Sequence, residues 1–289
     1  MYSYVFLFLY NFGRRIKLRK TIIEPNGKNF QYWKDIWNYR ELAFNLAKRD
    51  ITVRYKQTKI GLGWAIISPV VNMIITTFIF GTLAGLESDG SAPYFIMVYA
   101  GSIPWGLFSS SVNTGAGTFI SNAGIMKKVY FPRILAPVGA IMAKVVDSLV
   151  SMIIMLILML FSGYYPSFRM LLFPVFMIFC ILLGTGAGFF LSAYNVKWRD
   201  LQQGIPFLIG IVQYLTPVMY SINTIPQKYR LLYSLNPATG VVQAFKWCII
   251  KDLPFDFPSF FISLAWIVVL IPLGIYNFRK TERTFVDIV

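Results

Sequence analysis

Residues 60–86 read IGLGWAIISPVVNMIITTFIFGTLAGL, a run without Asp, Glu, Lys or Arg. Wound as a helix at 1.5 Å per residue, it is about 40 Å long, more than the roughly 30 Å of a bilayer's hydrocarbon core. Further charge-free runs cover residues 90–126, 148–168, 170–196, 201–227 and 257–278. Each exceeds the roughly 20 residues a crossing helix needs. In lipid every backbone N–H and C=O must be satisfied within the protein, so runs of this length read as helices. The sequence therefore predicts an all-α polytopic membrane protein. Its six transmembrane helices are expected at about 64–86, 94–120, 134–162, 170–195, 204–222 and 256–278. That divides the chain into a cytoplasmic or interfacial segment (1–63), a six-helix transmembrane domain (64–278) and a cytoplasmic tail (279–289).

The basic residues orient these spans. The segments on one side (1–63, 121–133, 196–203 and 279–289) hold 21 of the 27 Lys and Arg. The opposite segments (87–93, 163–169 and 223–255) hold 5. Basic residues near spans stay on the cytoplasmic side, so both termini are expected in the cytoplasm.

The net charge of +15 is a topology signal with an affinity for anionic lipid rather than a nucleic-acid footprint, because it sits in the cytoplasmic loops. The chain has no His, which removes the commonest proton shuttle and metal ligand. Cys180, inside a span, and Cys248, in an external segment, are too separated for a bridge or a metal spacing and are expected to pack. No metal or catalytic residue is predicted.

Residues 1–12, MYSYVFLFLYNF, are apolar and too short to span. Arg14, Arg15, Lys17, Arg19 and Lys20 follow the apolar stretch rather than precede it, which argues against a cleavable signal. An interfacial segment with its basic cluster at lipid headgroups fits this order, and a grip on an anionic substrate headgroup is the sharper reading. Residues 32–58 predict an amphipathic interface helix. Trp33, Ile36, Trp37, Phe44, Ala47, Ile51 and Tyr55 share one side, while Leu42, Leu46 and Val53 form a second apolar strip. Two strips suit a helix at the interface with a protein surface on its free side; the membrane interface alone is the plainer reading.

Between the second and third spans, residues 121–133 predict a short cytoplasmic helix ended by a Pro-directed turn at Pro132. Lys127, Lys128 and Arg133 obey the inside rule, so their charge alone does not indicate a partner. Lys144 and Asp147 lie three residues apart within the third span and can pair on one face. A proton or substrate relay would need further buried acids or a His; without them the pair reads as structural, with Lys144 snorkelling. External residues 223–255 predict two short re-entrant helices, 225–235 and 237–250, broken at Asn236-Pro237. An external cap lying on the membrane is the other arrangement.

Arg54 to Pro69 (RYKQTKIGLGWAIISP), Gly101 to Phe108 (GSIPWGLF), and Asn122 to Arg133 with its KKVYFPR ending resemble stretches of the permease subunits of ABC exporters for O-antigen, capsule and teichoic acid polysaccharides. Arg199-Asp200, Thr216 to Tyr220 (TPVMY) and Asn236-Pro237 follow in the same order, so the resemblance spans about residues 40–280. It implies a homodimer working with two copies of a separate ATPase, which would hold ATP and Mg2+. This chain has no G-x-x-x-x-G-K-[ST] phosphate loop: Gly27-Lys28 is followed by Asn29. No cofactor is expected on the chain itself. The resemblance also implies that Asn122, Ile125, Lys127, Lys128, Tyr130 and Arg133 couple the ATPase to the spans. The expected site is the bacterial cytoplasmic (inner) membrane, and the expected cargo a lipid-linked glycan.

A glycan path needs faces that hold sugar rings weakly, and aromatic rings with polar tips suit it. The candidates are Phe78, Tyr94, Tyr99, Trp105, Tyr214 and Tyr220, although many aromatics will face lipid or form interfacial belts. Ser68, Asn72 and Thr76, four residues apart, put a polar strip on the first span, toward a second protomer or the conduit. Two other functions compete. One is an ABC exporter subunit for another amphiphile. The other is an integral membrane glycosyltransferase, which should show a carboxylate cluster at a membrane face; here Asp200 stands beside Arg199, and Glu87 and Asp89 lie in a short loop.

Overall fold

A computed structural model describes residues 29–56, 61, 63–126, 131–198 and 200–288. The described residues are mostly helical, with no strand among them. The chain divides into two units at Asn38 and Tyr39. In the first, Asn29–Asn38 (α1) exposes Trp33 and Trp37. The single helix predicted over 32–58 is therefore two, with a new helix starting at Arg40.

In the second unit that helix is Arg40–Lys56 (α2). It lies on Leu135–Phe161 (α6), burying Ala43, Leu46 and Ala47 and leaving Phe44 exposed. Gly139 permits this approach, since a Cβ there would stand 2.8 Å from the Ala43 carbonyl oxygen. Both predicted strips thus reach the protein contact, the first through Ala47 and the second through Leu46.

The first span is Gly63–Thr76 (α3), running on as a π-helix over Thr77–Leu83. Then come Tyr94–Ser121 (α4), the single turn Ala123–Met126 (α5), α6, and a 3-10 turn at Phe168–Leu172 leading into Phe173–Lys197 (α7). Leu201–Tyr214 (α8), Gln227–Ser234 (α9), Pro237–Ile249 (α10) and Phe257–Ile288 (α11) complete the series. Among the described residues, five helices are long and apolar enough to cross a membrane: Gly63–Leu83, Tyr94–Ser121, Leu135–Phe161, Phe168–Lys197 and Phe257–Arg283. The helix within the remaining predicted span, α8, has 14 residues, about 21 Å. Turns follow it over residues 215–218, where Pro217 could not continue a helix without losing a hydrogen bond and meeting the carbonyl four residues back. At the other end α11 runs past the predicted limit at 278, carrying its basic residues on the same helix.

The core lies around α4, which packs on α7, α6 and α10, and around α7, which packs on α11. Small residues set these distances, as they do between helices in lipid. Gly188 meets Gly115 and Val112 of α4, while Gly186 meets Leu270 and Gly274 of α11. The predicted break at Asn236-Pro237 is present: Asn236 caps α10 by accepting the Ala238 N–H at 3.1 Å, with Pro237 at the first helical position. Both cysteines are free and buried.

Candidate functional site

A cavity of about 600 Å³ lies between the end of α2, α3, α4 and α6, with Gln213 of α8 on its border. Helical spacing explains its lining. Ser68 and Asn72, four residues apart, present the polar strip of α3. Lys144, Asp147, Ser148 and Ser151 follow the i, i+3, i+4, i+7 rule along one face of α6. Tyr99, Ser102, Ile103 and Gly106 do the same on α4, with Trp105 beside them. The Ser102, Ser148 and Ser151 hydroxyls donate to the carbonyls four residues back, at 2.7, 3.2 and 3.1 Å. Oxygen lone pairs are thereby left as acceptors within a wall of indole and phenol rings.

The charged end of the cavity is not the simple pair that the sequence predicts. The Asp147 carboxylate pairs with the Arg54 guanidinium, while its other oxygen accepts the Tyr55 hydroxyl. Lys144 Nζ stands farther off, at 3.9 Å. Arg54 and Tyr55 come from the last turn of α2, whose packing on α6 brings them to a residue 93 and 92 positions away. Two cations and one carboxylate leave one net positive charge. The side chains of the three are 28–38% exposed, so their pairing contributes little by itself, on the order of 0–1 kcal/mol. Burial, and then the Asp147 carboxylate, push the Tyr55 hydroxyl above its ordinary pKa, which keeps it a donor.

Of the predicted conduit residues, Ser68, Asn72, Tyr99 and Trp105 border this cavity, as do Lys144 and Asp147. Thr76, Phe78, Tyr94, Tyr214 and Tyr220 do not. Phe78 is exposed on the π-helical end of the first span. Tyr94 donates to the Met219 carbonyl and Tyr220 to the Tyr214 carbonyl, while the Tyr214 ring itself is exposed. Those three tyrosines brace the turn after α8.

Among the predicted coupling residues, Asn122 ends α4 by donating from its side chain to the Thr118 carbonyl at 3.1 Å, and Ile125 is exposed. Lys127, Lys128 and Tyr130 lie outside the described residues. Arg133 reaches α11: its N–H donates to the Glu282 carboxylate at 3.0 Å and its guanidinium to the Glu282 carbonyl.

The sequence reading missed a second charged pair. Lys246 of α10 and Asp89 of the loop before α4 are both 0% exposed and 3.2 Å apart, and Lys246 also donates to the Tyr220 carbonyl at 2.9 Å. A Lys inside the apolar run VVQAFKWCII was the available signal, since such a charge in a buried helix demands a partner. Among the described residues, no group of three His, Cys, Asp or Glu could hold a metal ion.

A family model described as "ABC-2 type transporter" matches residues 41–250. The chain is 27% identical to the O-antigen export system permease protein RfbA of Myxococcus xanthus over 215 residues, covering 74% of this chain and 82% of that protein. It is 26% identical to a Klebsiella pneumoniae protein of the same name over 250 residues (86% and 95%). It is 24% identical to the polysialic acid transport protein KpsM of Escherichia coli over 241 residues (81% and 91%).

Proposed function

This chain belongs to the ABC-2 type transporter family, and on that premise we propose that it is the membrane subunit of an ATP-driven polysaccharide exporter. The cargo is a lipid-linked glycan of the O-antigen or capsule kind, carried across the bacterial inner membrane. The observation that carries the reading is the polar cavity on the helical body. Hydroxyls, two amides and aromatic rings line it, the mixture that holds sugars weakly, and one net positive charge stands at its end. A tightly gripping surface would stall a sliding polymer.

Two copies of the chain would enclose the path, served by two copies of a separate ATPase that binds ATP and Mg2+. Phe78, Tyr94, Tyr214 and Tyr220 then belong to the outer part of that path. In this arrangement α8 and the turn after it complete a sixth crossing, α9 and α10 are re-entrant, and both termini lie in the cytoplasm. The 122–133 segment meets the ATPase, and the Arg133–Glu282 contact carries its movement into α11.

Deleting the gene should leave the glycan inside the cell, and returning it should restore surface polymer. A form with Ile125–Tyr130 replaced by a Gly/Ser linker should reach the membrane, yet export nothing and lose substrate-linked ATP turnover. Normal export from that form would end the coupling assignment, whereas unchanged surface polymer in the deletion strain would end the functional reading.

A further inference from the structure

A second cavity, of about 360 Å³, opens where the residues after α8, α9, α10 and the start of α11 meet. It lies at the opposite end of α11 from Glu282, some 26 residues or about 40 Å along the helix. We propose that this cleft binds one sugar unit of the exported glycan, an inference that rests on the reading of the chain as a glycan exporter.

Gln243 carries the argument. It is 3% exposed and borders the cleft, and its Nε2 has no hydrogen-bond partner among the described residues. Buried amide donors are rarely left unmade, so an acceptor outside the described residues belongs in the cleft. The groups around it narrow the ligand. Asp256 accepts the Ser259 N–H and hydroxyl at 3.2 and 2.6 Å, which leaves each carboxylate oxygen a free lone pair. Arg230 uses Nε and Nη2 on the Ile225 and Asn223 carbonyls, at 3.1 and 3.3 Å, and retains further N–H donors. One cation and one anion in the same lining disfavour a charged ligand. Planar amide, carboxylate and guanidinium groups match the adjacent hydroxyls of a sugar, and Phe255 supplies a ring for its C–H face. The volume sits near the low end of the roughly 300–1,000 Å³ of small-molecule pockets, suited to one unit rather than a chain.

The test is photo-crosslinking in cells that export the polymer through this chain. A benzoylphenylalanine is placed at Asn223, whose side chain makes none of the contacts above, at Leu231 on the exposed rim, or at Phe261, exposed on α11 outside the cleft. Ultraviolet light should join polymer to positions 223 and 231 and not to 261. Gln243→Leu should lower the adduct at 223 about fivefold, the size expected for one buried hydrogen bond. Should Gln243→Leu fail to reach the membrane, Leu231→Trp, which fills the rim, should lower it instead. Intact export with no adduct at 223 or 231, as a cleft holding only water would give, overturns the site and spares the exporter reading. Equal adducts at all three positions, or adducts indifferent to the variant that does insert, overturn it too. Surface polymer independent of this chain takes down both.

Discussion

The Asp147 cluster and the Lys246–Asp89 pair put similar chemistry in dissimilar surroundings. Lys246 and Asp89 are closed off from solvent and tie three segments together: the loop before α4, the middle of α10, and the turn after α8. Asp147, Arg54 and Lys144 border an open cavity, each about a third exposed. A desolvated charge depends on its partner, because the alternative is an unpaired ion in a medium of low polarity. A charge at the edge of a wet cavity can exchange its partner for water or a ligand at small cost. The pair is therefore built to hold the fold, and the cluster to be rearranged.

The largest effect should follow from breaking the pair. Lys246→Met leaves Asp89 buried and alone, a loss on the order of 3–5 kcal/mol. The variant should accumulate poorly in the membrane and unfold well below the parent in detergent. Adding Asp89→Leu removes the stranded charge and should recover much of the loss. Equal melting of parent and Lys246→Met would show that water reaches the pair, and the contrast would collapse.

Packing repeats the contrast at an intermediate size. A Cβ at Gly186 would stand 3.0 Å from the Leu270 carbonyl carbon and 3.1 Å from the Ile271 nitrogen, both backbone atoms of α11 that cannot step aside. Gly186→Leu should force α7 and α11 apart, costing about 1–3 kcal/mol or more. Ser68→Leu, on the exposed cavity face of α3, should change the melting point little. If the two variants melt alike, α7 and α11 are looser than their glycines imply.

The sequence made one part of this legible and hid the other for physical reasons. Charge-free runs announce their helices because lipid forces backbone groups to pair within the segment; four of the predicted spans recur nearly residue for residue. Asn236-Pro237 announced its break because the constraint is local. The fifth predicted span did not show its early helix end, since hydropathy is blind to Pro217 while the residues around it stay apolar. The partners of Asp147 and Lys246 were hidden because they lie 93 and 157 positions away. Chain spacing favoured Lys144, three residues from Asp147, whereas packing of α2 on α6 delivered Arg54. Likewise Ser68 and Asn72 were legible as a strip, but the cavity that they border needed α4 and α6 in place.

The smallest effect on stability should come from Asp147→Asn, and its smallness is the point. Asn has the same shape, and its carbonyl can still accept the Tyr55 hydroxyl. It removes one ionic partner from Arg54 and Lys144, but both remain beside an open cavity where water can replace it. The melting point should therefore shift by an amount corresponding to no more than about 1 kcal/mol, with membrane levels at the parental value. The charge of the cavity changes more than its shape, from one net positive charge to two. An acidic or phosphate-bearing cargo would then be held more firmly in a path that works by weak contacts, so surface polymer should fall severalfold while the protein stays folded. Measuring melting and surface polymer on the same variant separates the roles. A collapse in melting like that of Lys246→Met would make Asp147 a structural ion after all, and unchanged export with unchanged melting would remove the cluster from the transport path.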